Sequence, residues 1–339
     1  EPMKKLLPAF LLTLLLFAAP SGYATTFKIA TLSPEGSGWM KQFRAAAEKV
    51  EEKTDGRVKF KFYPGGVMGS DKSVLKKMRF GQLHGGAMTT GAIASVYPDM
   101  TIYNVPFLFR SQEEVDKVRA RLDDEVFSGL KDKGLTLLGY AGGGFAYILS
   151  NQPVHTPNDL ASQKVWAPVG DNVTIKTLQS LNATPVPLNL GDVLTALQTG
   201  MVETVATSPV SALALQWHTA VRYRTQLPIV YVSAALAVNS KHFNKLSAGD
   251  QKIVKDAFAT ALASIDAENR EDNIEAAAAL AHQGVQPVSL TSQQQSAWQD
   301  ISRKVMNTSL EKYNFSDDMV NKLQKALRDV RADDQGTSG

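Results

Sequence analysis

The chain has no cysteine among its 339 residues. That excludes disulfides, thiolate metal sites, a cysteine nucleophile and a cysteine-linked lipid anchor. Charge of one sign is also lacking. Lys and Arg total 36 against 33 Asp and Glu, and a formal net charge of +3 is too small to imply nucleic acid. The best basic cluster, Lys76-Lys77-Met78-Arg79, reads as the solvated face of an amphipathic helix. Histidine is scarce: His84, His155, His218, His242 and His282 never fall three or four residues apart. A zinc or metalloprotease site therefore has no support, and no cofactor is expected. No Gly-x-Ser-x-Gly is present, so a hydrolase nucleophile elbow is unsupported too. After residue 24 no charge-free run reaches the ~20 apolar residues of a membrane span.

What is present begins with a leader. Lys4 and Lys5 precede an apolar run from Leu6 to Ala19, then Pro20-Ser-Gly-Tyr-Ala24. This is the layout of a secretory signal peptide, residues 1–24, cleaved after Ala24. Glu1 and Pro2 precede a natural-looking start at Met3. The mature chain of about 315 residues would be exported and periplasmic. With 44% hydrophobic residues and four Trp, it reads as folded, with a length suited to two domains.

Strand and helix patterns alternate from the mature start. Strands are expected at 26–32, 58–63, 85–89, 135–139, 146–149 and 236–239. The pattern at 58–63 is the clearest, with Val58, Phe60 and Phe62 alternating against Lys59, Lys61 and Tyr63. Helices are expected at 39–53, 72–80, 171–181 and 192–199. Capping boxes mark further helix starts at Ser111/Glu114, Thr156/Asp159, Ser247/Asp250 and Thr291/Gln294. The stretch 247–282 lacks Pro and Gly between Gln251 and Gln283 and is rich in Ala. At about 45 Å it would exceed one small domain and brace two lobes. The alternation implies an α/β architecture. The residues 331–339 are polar and read as a disordered tail.

Gly139-Tyr-Ala-Gly-Gly-Gly144 precedes a strand, whereas a dinucleotide fingerprint must open a helix. Flexible backbone or close packing between lobes is the plainer reading of those glycines. Aromatic and small polar residues instead gather at strand ends and turns: Trp39, Thr89, Thr90, Phe107, Phe145, Tyr147, Trp166, Ser208 and Trp217. Singly each suits a core. Together, in a two-lobed exported protein, they fit a ligand cleft.

The segments Phe60-Lys-Phe-Tyr-Pro-Gly-Gly-Val-Met-Gly69 and Val105-Pro-Phe-Leu-Phe109 carry a family resemblance. So do Pro157 to Pro168, Thr184 to Leu188, and Asp192-Val-Leu-Thr-Ala-Leu-Gln-Thr-Gly-Met-Val-Glu203. Over about 26–326 the chain resembles the solute-binding proteins of tripartite ATP-independent periplasmic (TRAP) transporters, the DctP family. The resemblance implies a two-lobed periplasmic binding protein with a hinge, crossing strands and a long lobe-spanning helix. Its first lobe would be 26–147 plus 232–270, and its second 148–231 plus 271–330. It implies a non-catalytic, monomeric receptor that closes on a small organic solute and hands it to TRAP membrane subunits.

One position departs from the family pattern. Most members carry, where Trp166 stands here, an Arg that clamps the ligand carboxylate; a second Arg position of one subgroup matches Ala146. A Trp offers one N–H and no charge. The ligand would then be a neutral or apolar-bodied solute stacked on Trp166, a cation over aromatic faces, or a carboxylate met by Arg222, Arg224 or backbone N–H groups. The expected binding set is Thr89, Thr90 and Ser208 as hydrogen-bonding groups, Trp166 as a cap, and Phe145, Tyr147 and Leu190 as walls. Trp39 and Trp217 are weaker candidates, better suited to core or rim. A secreted enzyme, a receptor docking on a signalling sensor, and a carrier of hydrophobic compounds are the rival functions.

Overall fold

The computed structural model describes residues 23–169, 171–309 and 314–336. Most of the expected leader lies outside them.

The first lobe opens with β1 (Thr25–Thr31), α1 (Gly38–Lys53), β2 (Val58–Tyr63), α2 (Asp71–Arg79), β3 (Gly85–Thr89) and the single turn α3 (Thr90–Ile93). Ser37 and Ser70 start α1 and α2 by accepting from the N–H groups of Met40 and Ser73. Next come α4 (Gln112–Lys131) and β4 (Leu135–Ser150). The second lobe contributes β5 (Lys164–Pro168), α5 (Asn172–Ser180), β6 (Thr184–Leu188), α6 (Val193–Thr199), β7 (Thr204–Thr207), α7 (Pro209–Ala214) and β8 (Tyr223–Thr225). The chain then returns through β9 (Val230–Asn239), α8 (Ser240–Phe243) and α9 (Ala248–His282). It ends with β10 (Gln286–Val288), α10 (Ser292–Ser309) and α11 (Asp317–Gly336).

The strand order is β2-β1-β3-β9-β4-β7-β5-β6, with β8 on β4 and β10 on β8. β4 belongs to both lobes. Its residues 135–146 pair with β9, and from Tyr147 onward it pairs with β7 and β8. Two short strands were expected here, yet one strand of 16 residues runs through the glycine cluster. The glycines make this possible. Register shifts fall between Leu137 and Gly139 and between Gly142 and Gly144, where Gly144 takes φ +84°. A Cβ on Gly139 would meet Leu262 of α9 at 2.6 Å, so close packing explains that residue as well.

Helix α9 spans 35 residues, about 52 Å. Val254, Phe258, Leu262 and Ile265 pack into the first lobe, and Leu280 packs into the second. Ser247 caps it by accepting from the N–H of Asp250 at 3.1 Å. The Asp250 carboxylate turns instead to Arg57, at 3.0 and 3.1 Å. Both arms of the boxes at Thr156/Asp159 and Thr291/Gln294 are formed. Glu114 bonds the N–H of Arg110 rather than that of Ser111.

Two terminal expectations are corrected. Residues 331–336 form the last turns of α11 rather than a disordered tail, because Arg331 pairs with Glu114 at 2.6 Å and donates to the Leu108 carbonyl at 2.9 Å. The end of the expected second lobe also belongs elsewhere. Phe315, Met319, Leu323, Leu327 and Val330 pack with α4 in the first lobe's core. Ser316 anchors this return by donating to Asp99 through its N–H and hydroxyl, at 2.8 and 2.7 Å.

Candidate functional site

Parallel strands expose their carboxyl ends to the turns that follow, and open α/β sheets bind ligands in the crevice beyond those ends. In this chain the two sets of ends meet near the middle of α9. On the first-lobe side, Gln42 of α1 donates to Glu268 at 2.9 Å. On the second-lobe side, the N–H of Val210 donates to Asn273 at 3.4 Å. Five helical residues rise about 7.5 Å, so the two ends converge on little more than one turn. Between them run β4 and β9. Asn269 donates to the Gly142 carbonyl at 2.8 Å, and Asp266 accepts from the Gly142 N–H at 2.7 Å.

The turns after these strands have a common character. Leu32 follows β1, Val67 follows β2, Val169 follows β5, Leu190 follows β6 and Val210 opens α7 after β7. All are exposed, as is Val232 on β9. None of the segments 32–37, 64–71, 89–93, 168–172, 189–193 and 208–212 contains Lys or Arg. Only Leu190 of these apolar residues was in the expected set. The others were legible as lone large aliphatics directly after strands, a weaker pattern than an aromatic.

The expected residues divide. Leu190 is 52% exposed. Thr89 ends β3 in an exposed position, where its N–H and hydroxyl donate to Asp71 at 3.0 and 3.1 Å. Ser208 ends the β7 turn, 8% exposed, and caps α7 by accepting from the N–H of Ser211 at 3.2 Å. Trp166 is half-buried in β5, edge-on to Trp217 at 5.2 Å. Its N–H donates to the Leu188 carbonyl at 3.0 Å, so its one polar group is engaged within the lobe. Tyr147 is half-buried on the crossing strand, and burial pushes its phenol up from the usual range.

Thr90 and Phe145 do not fit the roles expected of them. Thr90 is 1% exposed and its hydroxyl is engaged by Asn104 and Ser233, both at 2.9 Å. Phe145 packs edge-on against Tyr231 at 5.5 Å in the first lobe's core. Trp217 is core, 1% exposed. Trp39 is half-buried against Phe43, at 6.0 Å between rings.

Arg224 is the substitute clamp in the carboxylate reading, and it lies against an aromatic ring. Its guanidinium lies 5.0 Å from the centre of the Tyr147 ring, and burial lowers its pKa. Among the described residues it forms no ion pair with a carboxylate. Metal ligation has no comparable candidate: no three His, Asp or Glu gather among the described residues.

The model of the bacterial extracellular solute-binding protein family 7, DctP, matches residues 29–313. The chain belongs to the DctP family of solute-binding proteins. It is 25% identical over 290 residues to the C4-dicarboxylate-binding periplasmic protein DctP of Rhodobacter capsulatus, covering 84% of this chain and 85% of that one. A solved TRAP periplasmic solute-binding protein from Ochrobactrum anthropi, with its C-terminus in the ligand pocket, superposes with a TM-score of 0.82 at 25% identity. That alignment covers 91% of this chain and 97% of the other. One from Sulfitobacter, holding β-D-galacturonate, gives 0.75 at 21% identity over 90% and 99% of the two chains. This DctP-family protein is therefore a two-lobed periplasmic receptor that captures a small organic solute between its lobes and delivers it to a TRAP transporter. Hinge closure on the solute requires contacts that favour the closed state. Among the described residues no helix is long and apolar enough to cross a membrane.

Proposed function

We propose that this receptor is non-catalytic and monomeric, is exported by a cleaved leader ending near Ala24, and takes a small solute with an apolar body. The carrying observation is the composition of the turns that follow the parallel strands: exposed Leu32, Val67, Val169, Leu190 and Val210, with no Lys or Arg beside them. The carboxylate of a sugar acid would find no Lys or Arg beside these turns to pair with. On this reading Trp166 caps the apolar body, Thr89 and Ser208 bring polar groups, and Leu190 and Tyr147 complete the wall.

A second reading is favoured by Arg224. The solved relatives hold carboxylates, including β-D-galacturonate, L-gulonate and (S)-2-acetolactate. If this chain binds such an acid, the half-buried guanidinium above Tyr147 is the charge to meet it.

A thermal-shift screen separates the two. Uronates, apolar monocarboxylates, uncharged apolar solutes and amines are each titrated against the purified protein. A ligand at 100 times its Kd stabilises by about 2.7 kcal/mol, a readable shift. Stabilisation by uncharged or apolar-bodied solutes is expected. A response to uronates alone rejects the first reading, and chemical change in the recovered ligand rejects a non-catalytic role.

A further inference from the structure

The basic cluster Lys76-Lys77-Met78-Arg79 lies outside the turns that line the cleft. From Gly56 to Pro98 the chain carries seven Lys or Arg and a single acid, Asp71. That excess is larger than the +3 of the whole chain, so this stretch concentrates positive charge that the rest offsets. Asp71 is engaged at the cleft end, where it accepts from the Thr89 N–H and hydroxyl at 3.0 and 3.1 Å.

The fold gathers these cations on one flank of the first lobe. Tyr63 of β2 packs with Val74 and Met78 of α2, whereas Phe60 and Phe62 pack on the opposite face of the sheet. Alternation along the strand puts Lys61 on the α2 side with Tyr63, and its Nζ lies 5.3 Å from the centre of that ring. Lys28 of β1 stands opposite Lys61 in the ladder. It shares its face with Ala30, which packs in the same cluster as α2. Helix α2 lies alongside, with Lys77 donating to the Met68 carbonyl after β2 at 2.7 Å. Val74 and Met78 are its buried side, and Lys72, Lys76 and Arg79 form an exposed stripe at i, i+4 and i+7.

Two features select the partner. First, Lys28, Lys61, Lys72, Lys76 and Arg79 are exposed, and none forms an ion pair among the described residues. The neighbouring Lys59 differs, being paired with Glu51 at 3.0 Å. Second, Phe80 closes α2 beside Arg79 and is 67% exposed, just before the turn at Gly81 with φ +72°. Lysines are flexible point charges, better suited to a fluid array of phosphates than to the fixed geometry of a carboxylate site. An exposed ring among them suits the boundary of a bilayer, where headgroups give way to acyl chains.

We propose that this flank is a docking surface for an anionic phospholipid bilayer. The lysines and Arg79 meet headgroup phosphates, and Phe80 enters the boundary beneath them. Lys28, Arg79 and Phe80 lie toward the amino ends of β1 and β3, whereas the cleft lies beyond the carboxyl ends. The receptor can therefore hold its solute while on the membrane, whatever that solute is.

The test is co-sedimentation of the full chain with vesicles of phosphatidylcholine alone or with about 30 mol% phosphatidylglycerol. Binding to the anionic vesicles only is expected, and it should fall as salt rises from about 50 to about 500 mM. Lys61→Glu, Lys76→Glu and Arg79→Glu together should weaken it roughly tenfold or more. A control with the same change in net charge, Lys131→Glu, Lys176→Glu and Lys255→Glu, should stay within about threefold of the parent. Phe80→Ser should weaken binding several-fold and leave its salt dependence in place. All these positions are exposed, and circular dichroism checks that each variant is folded. Failure to sediment with the anionic vesicles overturns the proposal, as does unchanged binding in the flank variant. Equal loss in the two triple variants also overturns it, because net charge rather than the flank then governs binding. If soluble polyglutamate binds through the flank while the anionic vesicles do not, the surface takes an acidic protein and the bilayer reading falls.

Discussion

Asn273 donates from Nδ2 to the carbonyl of Gly143 at 3.0 Å, tying the long helix α9 to the strand that crosses between the lobes. The same side chain accepts from the N–H of Val210 at 3.4 Å, where the second lobe begins α7. One amide thus touches the hinge strand and the rim of the cleft. Asn273→Ala should cost about 0.5–1.5 kcal/mol of stability, the net value of a lost part-buried hydrogen bond. Ligand affinity should change several-fold as well if this tie between α9 and the crossing strand biases the open and closed states differently. Urea unfolding and calorimetric titration check this; unchanged affinity would mean that Asn273 is only structural.

If Trp166 caps the solute as proposed, Trp166→Ala should weaken ligand binding at least about tenfold, the loss of an aromatic contact surface. Trp166→Phe should retain more affinity, because it keeps a ring against Trp217 while losing the N–H to Leu188. If Trp166→Ala binds as tightly as the parent, with an intact melting transition, Trp166 is a core residue of the second lobe.

Arg224→Gln discriminates between ligand classes. For a carboxylate ligand it should cost roughly tenfold or more in affinity, the loss of a charge-assisted pair. For an uncharged ligand the change should stay within about twofold. Titration of the parent and the variant with the best hit of the screen reads the difference.

Gly142→Ala should destabilise the protein by about 1–3 kcal/mol, as overpacking does. A Cβ there would collide with the Tyr231 hydroxyl and lie 2.9 Å from the Asp266 carboxylate. Tyr231→Phe in the same chain should restore part of the loss by vacating that space. Thermal melts of the single and double variants test the coupling.

Stability should decline as pH falls from about 6.5 toward 4. His84 and His242 stack with ring centres 3.7 Å apart. Burial, then the neighbouring His242, Lys28 and Lys245 charges, push His84 down to about 4 from 6.5. Its Nδ1 accepts from the N–H of Lys28 at 3.0 Å, a bond that requires an unprotonated nitrogen. Burial also lowers His242, against the opposing effect of the Thr26 carbonyl. Between those pH values the unfolded chain takes up a proton that the native chain refuses, so the native state loses ground. Above 6.5 the contribution is fully present. His84→Gln should flatten the pH dependence of the melting temperature over this range; an unchanged slope would place its origin elsewhere.

Local pattern and composition made the regular elements legible. The strand from Val58 to Tyr63 follows from its alternation, whereas the helix from Ala248 to His282 follows from an Ala-rich run with no Pro or Gly after Gln251. Gly139 to Gly144 misled because glycine normally weakens a strand, whereas here it admits α9 against the backbone. Thr90 misled for a different reason. Its position beside an exposed threonine says nothing of Asn104 and Ser233, which reach its hydroxyl only after folding. Arg331 looked like tail because its partner, Glu114, lies 217 residues away. Contacts at such separation leave no periodic trace.

The path of β4 has a consequence for how the molecule comes apart. This strand is hydrogen-bonded in both sheets, and the chain returns to the first lobe again in β9 and in α11. Neither lobe corresponds to a contiguous stretch of sequence that could be excised and refolded. Opening either sheet at β4 strips bonds from the other, so thermal unfolding should show a single transition with equal calorimetric and van't Hoff enthalpies. The receptor has two bodies for binding and one for melting.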